Sequence, residues 1–335
     1  MTTPPVSILL PVRNEARHLP AALRSLQRQT LRNWELLAVD DGSTDATAEI
    51  LHSFADRDPR IRILKQAATG VVTALNLGLE ACRGGYVARM DGDDVCHPQR
   101  LARQLESFRE DPSLTLVAAC VRHFPRAGIQ GGMLAYEEWQ NGILDHNDIC
   151  RNLFVESPFV HPSVMFRRSA IIAAGGYRQK PWAEDYDLWL RLVERGARFA
   201  KRPETLLFWR DRPQRLTRTA ANCTLAAFRS CKAHFLRRGY LKECSEVTLW
   251  GAGQEGKAWR KVLLREGVRV ERWIDVDARK IGQRIHDATV FPPDRLKEAF
   301  GPMLITVGAR GARKQIRRWA EQAGLDEGTD FVCVS

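Results

Sequence analysis

Apolar and polar positions fall into alternating blocks along the chain. Val6 to Val12 is a nearly unbroken apolar run, which predicts a strand, and after the Asn14-Glu15 turn Leu19, Leu23 and Leu26 share one helical face. Trp34 to Val39 predicts a second strand, ending in Asp40-Asp41-Gly42-Ser43-Thr44-Asp45, and a helix through Ala48, Ile50 and Leu51 follows. A strand near Ile61 to Leu64, a helix from Val71 to Ala81 and a strand from Tyr86 to Met90 continue the series. Strands alternating with helices predict a mostly parallel sheet, and such sheets bind ligands beyond the carboxyl ends of their strands. Arg13-Asn14-Glu15 and Asp40-Asp41 fall at those ends, so a nucleotide is expected there.

The alternation restarts late in the chain. A strand from Val247 to Trp250 leads into Gly251-Ala252-Gly253-Gln254-Glu255-Gly256, then a helix through Trp259, Val262 and Leu263, then a strand from Val270 to Ile274 that ends in Asp275 and Asp277. G-x-G-x-x-G between strand and helix, with an acidic residue about 20 positions on, is a Rossmann-like fingerprint; Gly251, Gly253, Gly256 and Asp275 are the candidate nucleotide site of this module. Met303 to Val307, the turn Gly308-Ala309-Arg310-Gly311, a helix with Ile316, Trp319 and Ala320, and Phe331 to Val334 complete the pattern. Only about 90 residues are available, too few for a complete dehydrogenase, and the glycines serve equally for tight turns and close helix packing. A structural, oligomerisation or nucleotide-sensing role is expected ahead of NAD-dependent redox catalysis.

Composition bounds the rest. With 44% hydrophobic residues over 335 positions the chain can bury a sizeable core, and its length suggests two domains. The net charge of +11 asks for anionic partners: nucleotide phosphates, nucleic acid or an acidic membrane surface. No nucleic-acid-binding signature accompanies Arg229, Lys232, Arg237, Arg238 and Lys242, so nucleic acid is not expected. The same stretch, Ala226 to Lys242, suits either peripheral contact with an anionic membrane or an ordinary helix with a solvated basic face. No apolar run approaches the roughly 20 residues of a membrane helix, and Met1 to Pro5 lacks a secretory pattern, so a cytoplasmic location is expected, at most peripheral at the inner face of the cell membrane. Eight scattered cysteines, with no C-x-x-C pair, read as reduced structural thiols.

Three clusters carry candidate chemistry. Asp91-Gly92-Asp93-Asp94 sets three carboxylates within four residues; they repel one another unless a cation lies between them, and Mg²⁺ or Mn²⁺ favours such oxygen ligands, although the same letters also make an ordinary turn. Glu184-Asp185 precedes a helix in which Leu188, Leu192 and Val193 share a face, so these acids either cap the helix or face the cleft. Trp209 to Arg218 is a basic loop, suited to clamping a diphosphate or to solvent. His161, in an apolar segment, is either a satisfied core histidine or a ligand contact, and Phe124 to Phe154 shows no clear period, as expected of loops that shape a pocket.

Five segments in order, Ser7 to Glu15, Ser25 to Thr30, Val39 to Asp45, Ala74 to Gly78 and Met90 to Asp94, make the chain closely resemble glycosyltransferase family 2, of the GT-A fold, over about residues 6 to 220. The resemblance implies an α/β GT-A nucleotide-sugar domain with a mixed, mostly parallel sheet, and inverting transfer from a nucleotide-diphosphate sugar, with UDP the common carrier, to a hydroxyl of a glycan or lipid-linked acceptor. It implies that Pro11, Val12, Arg13 and Glu15 line the base and ribose pocket, that Asp41 bonds the base and that Asn76 lies on the donor side. Asp93 then coordinates the metal, Asp91 and Asp94 hold the ribose or the metal's waters, and Arg212 and Arg215 meet the diphosphate. Glu184 and Asp185 match the acceptor-side acidic motif, with Asp185 the general base, since an aspartate is ionised at neutral pH and can take a proton from a hydroxyl held against it. His161 and Trp189 are placed near the donor phosphates or the acceptor. The expected organisation is a GT-A domain over 1–222, a helical linker over 223–244 and a Rossmann-like domain over 245–335, with room for a homodimer. The competing reading is an NAD(P)-binding oxidoreductase or nucleotide sensor built on the C-terminal module, but hydride transfer needs neither Asp91-Gly92-Asp93-Asp94 nor Asp40-Asp41.

Overall fold

The computed structural model describes residues 3–213, 215, 220–297, 301–309 and 311–335. It divides into two compact units, Met1–Ile149 with Pro158–Thr219, and Cys150–Ser157 with Ala220–Ser335.

The first unit holds an eight-stranded sheet in the order β3-β2-β1-β4-β7-β6-β8-β5. Its strands are β1 (Val6–Val12), β2 (Trp34–Asp41), β3 (Ile61–Gln66), β4 (Tyr86–Arg89), β5 (Val95–Cys96), β6 (Leu114–Phe124), β7 (Met165–Arg167) and β8 (Arg198–Arg210). β1 to β4 pair in parallel, as the alternation with helices predicts, whereas β7 runs antiparallel to both β4 and β6. Every residue of β1 and β2 is buried, which is why both read as continuous apolar runs instead of alternating ones. Helix α1 (Leu19–Gln27) buries Leu19, Leu23 and Leu26. The helix Val71–Ala81 lies so close to the sheet that a Cβ on Gly78 would stand 2.2 Å from Leu9 Cδ1, so any larger residue would have to displace Leu9. Register brings Val12 beside Asp40, and the loops that follow β1 and β2 therefore emerge side by side.

Phe124 to Phe154 is not a plain loop: it contains the helices Gly131–Asn141 and His146–Asn152. The first of these buries Glu137 and Gln140, so its inward face is polar and leaves no apolar period to read. Glu137 accepts the His123 backbone N–H at 2.6 Å and pairs with its ring Nδ1 at 2.7 Å.

The second unit holds a six-stranded sheet, β11-β12-β10-β9-β13-β14, formed by β9 (Glu246–Trp250), β10 (Arg269–Ile274), β11 (Arg284–Ile285), β12 (Ala288–Phe291), β13 (Met303–Ile305) and β14 (Phe331–Cys333). All neighbours are parallel except β11 with β12. This is the doubly wound arrangement that the glycine fingerprint predicts. Asp275, expected at a ribose, is engaged within the unit itself: its carboxylate accepts the Ala252 N–H, the Asp277 N–H and Lys280 Nζ, each at 2.9 Å, and so clasps the glycine turn. A Cβ on Gly256 would lie 1.8 Å from the Gly251 carbonyl oxygen, whereas one on Gly253 would meet nothing within 4 Å. Gly256→Ala is accordingly expected to destabilise this unit by about 3 kcal/mol or more, read as a shift of its transition in urea unfolding, with Gly253→Ala as the mild control.

Residues 223–244, expected as a linker, supply the helix Leu225–Arg238, whose Ala233 and Leu236 lie in the core of this unit. Its basic residues are largely engaged. Lys232 is 6% exposed and donates to the carbonyls of Val155 (2.6 Å) and Val334 (3.3 Å), Arg229 pairs with Glu255 at 2.9 Å, and Arg237 donates to the Leu241 carbonyl at 2.8 Å. An anionic membrane face is not what organises this helix. The strap 150–157 is held by the same unit through Val155, through Asn152 with Arg317, and through Arg151, which shares Glu327 with Arg317. Among the described residues no helix is long and apolar enough to cross a membrane.

Candidate active site

The loops after β1 and β2 are stitched together by backbone-to-side-chain bonds. Asn14, at φ 54°, accepts the Thr44 N–H on Oδ1 at 2.8 Å and donates its own N–H to Ser43 Oγ at 3.0 Å; asparagine tolerates this left-handed backbone. The N–H groups of Glu15 and Ala16 go to Thr47 Oγ1 (2.8 Å) and Asp45 Oδ2 (3.1 Å). Asp41 is buried and accepts from Gln66 Nε2 (2.7 Å), Thr69 N (2.9 Å) and Gly70 N (3.1 Å), so it also fixes the loop after β3. Among the expected pocket residues, Arg13 is exposed, whereas Pro11, Val12 and Glu15 are buried. Asn76 holds Tyr177: its Oδ1 accepts the Tyr177 N–H and its Nδ2 donates to the Tyr177 carbonyl, each at 2.9 Å.

β4 delivers the acidic cluster. Asp91, Asp93 and Asp94 each present an oxygen within 4.8 Å of the others. Burial and then the charge of Asp91 push Asp93 up to about 6, and burial with Asp91 and Asp93 raises Asp94 well above the usual carboxylate range. Asp94 accepts the Arg210 N–H at 2.8 Å, while its second oxygen is buried without a partner among the described residues. Arg212 links the loop after β1 to this cluster, pairing with Glu15 and, through Nε at 2.9 Å, with Asp93. Arg215 stacks 3.7 Å over the Trp209 ring and feels all three aspartates. Gln214 and Leu216 to Arg218 of the expected basic loop lie outside the described residues. Beneath the cluster, Arg100 is 1% exposed and donates to neutral groups, the Arg89 carbonyl at 2.8 Å and Gln104 Oε1 at 3.0 Å.

The helix Glu184–Glu194 carries the second carboxylate site at its start. Asp185 is pushed up to about 7, chiefly by burial and next by Glu184; its Oδ1 accepts the Tyr186 N–H at 2.7 Å. Glu184 is also raised by burial, and its Oε1 lies 4.0 Å from His161 Nδ1. His161 Nε2 pairs with Tyr177 Oη at 3.0 Å, and burial lowers this histidine far enough to keep it neutral. Trp189 does not reach the cleft: it is 0% exposed and packs edge-on against His161 and Phe159, a platform beneath the site instead of a contact within it. Asp187 and Arg191 pair at 2.7 Å, and Arg191 donates to the carbonyls of Ala174 and Gly176, fixing the turn that presents Tyr177.

Arg89 and Tyr177 join the site without having been singled out from the sequence, whereas Arg210 belongs to the basic loop expected over Trp209 to Arg218. Arg89 had a signal, a charged residue within the apolar run Tyr86-Val87-Ala88-Arg89-Met90. Tyr177 is brought in by contacts over a large sequence separation and had none.

The family model described as glycosyl transferase family 2 matches residues 7–174. The amylovoran biosynthesis glycosyltransferase AmsE of Erwinia amylovora is 33% identical over 204 residues, covering 60% of this chain and 74% of that protein. The putative glycosyltransferase EpsE of Bacillus subtilis (strain 168) is 32% identical over 200 residues, 58% of this chain and 69% of its own. Among solved structures, S. aureus TarS 1-349 in complex with UDP-GlcNAc superposes with a TM-score of 0.54 at 16% identity, over 78% of this chain and 80% of that one. The mannosyltransferase PcManGT from Pyrobaculum calidifontis, in complex with GDP-Man and Mn²⁺, gives 0.51 at 19% identity, over 80% and 70%. Identities this low speak for a shared fold alone. The ordered motifs, the strand ends that carry them and the family match together make the chain a member of glycosyl transferase family 2, a nucleotide-sugar glycosyltransferase of the GT-A fold.

Proposed function

We propose that the enzyme transfers a sugar from a UDP-sugar to a hydroxyl of a glycan or lipid-linked acceptor in one displacement that inverts the anomeric carbon. The observation that carries this reading is the separation of two carboxylate sites: a crowded cluster at Asp91, Asp93 and Asp94, and a lone pair of acids, Glu184 and Asp185, at the start of another helix. The relatives' names point the same way, toward amylovoran and O-antigen biosynthesis, and solved neighbours are described with UDP, UDP-GlcNAc or GDP-Man.

The cluster suits a hard divalent cation, because three carboxylates converge, Asp91 raises Asp93, both raise Asp94, and one buried Asp94 oxygen lacks a partner among the described residues. Asp91, Asp93 and Asp94 would hold Mg²⁺ or Mn²⁺, which when bound supplies positive charge against the donor diphosphate. Glu15, Arg13 and Asp41 border the base and ribose, and Arg212 and Arg215 bring guanidinium groups to the phosphates. Asp185 takes the acceptor proton, helped by a pKa near working pH. The hydride-transfer alternative is not favoured, since Asp275 is clasped by Lys280 and the glycine turn.

Isothermal titration with UDP, GDP and dTDP, each with and without Mn²⁺, tests the donor class. Binding of UDP that depends on Mn²⁺ is expected; GDP or dTDP preference would replace the donor assignment. Retained configuration in the product, read by NMR, would remove the single-displacement scheme.

A further inference from the structure

The helix Arg100–Glu110 sends two side chains into the first sheet where its ladders stop. β7 pairs with β4 no further than Ala88 with Met165, and with β6 only at Phe166 and Met165; the turn His161–Ser163 precedes these pairs. The carbonyls of Ser163 and Val164 therefore lie beyond the ladders, and buried side chains serve them. Gln104, 0% exposed, donates through Nε2 to the Val117 carbonyl at 2.7 Å and the Ser163 carbonyl at 2.9 Å. Arg100, 1% exposed, donates through Nη2 to the Arg89 carbonyl at 2.8 Å and the Val164 carbonyl at 3.3 Å. Its Nε binds Gln104 Oε1 at 3.0 Å, and its Nη1 meets Cys96 Sγ at 3.3 Å and Met90 Sδ at 3.6 Å. Every guanidinium nitrogen thus meets a neutral acceptor and none a carboxylate, so what arginine supplies here is its rigid planar fork, which lysine lacks.

We propose that Arg100 and Gln104 are positioning residues for sugar transfer, a splint that sets the His161 turn against the strand end leading into the acidic cluster. The inference rests on the reading of Glu184 and Asp185 as the acceptor-side acids. On one side the splint grips the Arg89 carbonyl, just ahead of Met90 and Asp91. On the other it grips the two residues that follow the turn's histidine and proline, and Ser163 Oγ closes that turn onto the Val160 carbonyl at 2.7 Å. His161 passes the placement on: its Nε2 pairs with Tyr177 Oη at 3.0 Å and its Nδ1 lies 4.0 Å from Glu184 Oε1. Donor-side and acceptor-side groups come from different strands and helices, and transfer between them is steeply sensitive to displacements of about 1 Å. Two side chains of one helix fix that spacing where backbone pairing no longer does.

Gln104→Met keeps the length of the side chain and loses both donors; Arg100→Lys keeps the charge and loses the fork. In proton–carbon NMR of the full-length protein, the His161 ring signal is identified by its absence in His161→Gln, and it should shift when Tyr177→Phe removes the partner at 3.0 Å. In either splint variant that shift is expected to shrink by about half or more, because the ring no longer stands against Tyr177. A role confined to stability would leave the shift intact in the folded variants. Nucleotide release from UDP-GlcNAc or GDP-mannose with Mn²⁺, water standing in for the acceptor, should lose about tenfold or more in kcat, while nucleotide Kd from titration stays within about twofold. An undiminished shift, an unchanged kcat, or a loss of nucleotide affinity as large as the loss in kcat overturns the proposal, as does failure of both variants to fold. Parent-like behaviour of Arg100→Lys beside an impaired Gln104→Met would remove Arg100 from it. Unchanged release by Asp185→Asn would overturn the acceptor-side assignment by itself, since the NMR comparison does not involve that residue. A parent protein that releases nucleotide from neither donor would overturn the donor assignment and leave the NMR comparison to decide the splint.

Discussion

Asp185→Asn is expected to lower turnover by about 10³-fold while leaving nucleotide affinity within about twofold. The amide has nearly the same shape, and its oxygen can still accept the Tyr186 N–H that the carboxylate accepts at 2.7 Å, so the helix start should persist. What disappears is the capacity to take a proton. The pH profile of the parent enzyme should agree: because burial and Glu184 push Asp185 up to about 7, the rate should fall tenfold per unit as pH drops below that value. Nucleotide release and isothermal titration on the same preparation separate the two effects. A folded variant that binds donor weakly would show that Asp185 does more than accept a proton.

Asp93→Asn should abolish most transfer, by about 10²-fold or more, and at the same time stabilise the metal-free protein. The sign follows from proton linkage. Burial and Asp91 push Asp93 up to about 6, above the ordinary carboxylate value, so the folded chain holds this proton more tightly than the unfolded chain does. The associated stability is present at low pH and is lost as pH rises through about 6. At pH 7 the ionised aspartate therefore strains the cluster, and replacing it should raise stability by about 1–3 kcal/mol, visible as a higher melting temperature. Mn²⁺ should raise the melting temperature of the parent protein and leave that of the variant nearly unchanged. A variant that melts lower than its parent without metal would mean that the Arg212 pairing at Asp93 outweighs the repulsion.

Much of the first unit could be read in advance because its central strands are buried on both faces. β1 and β2 appear as mostly apolar runs interrupted only by Ser7 and Glu35, and the polar residues from Asp40 and Arg13 onward mark the strand ends. In the C-terminal sheet β9, β10, β13 and β14 were legible from their apolar runs and from the glycine turn, where a Gly256 Cβ would collide with Gly251, whereas the short β11 and β12 were not. β6 was missed although Leu114 to Val121 is itself a nearly continuous apolar run, and β8 was not visible. β8 mixes Arg198, Lys201, Arg202 and Glu204 with apolar residues, and Pro203-Glu204 fall where its register with β6 slips between Arg202 and Thr205. Within the site, residue types were legible but allegiances were not. Asn76 is bound to Tyr177, 101 residues away, and Arg212 to Glu15, 197 residues away, and neither contact leaves a local trace. Trp189 misled because a tryptophan beside an acidic motif looks like a ligand platform, when it is a wall under His161.

The strap 150–157 bears on how the chain is made and divided. Val155 leaves the ribosome 77 residues before Lys232, and Arg151 leaves 176 residues before Glu327, so this short segment must wait unpartnered while most of the second unit is still being synthesised. The C-terminal unit is therefore finished by a peptide written into the middle of the gene for the transferase unit. A gene fusion or truncation cut after Thr219 would not yield two self-sufficient halves: one product would carry an orphaned strap, and the other would lack the segment that Lys232 and Arg317 grip.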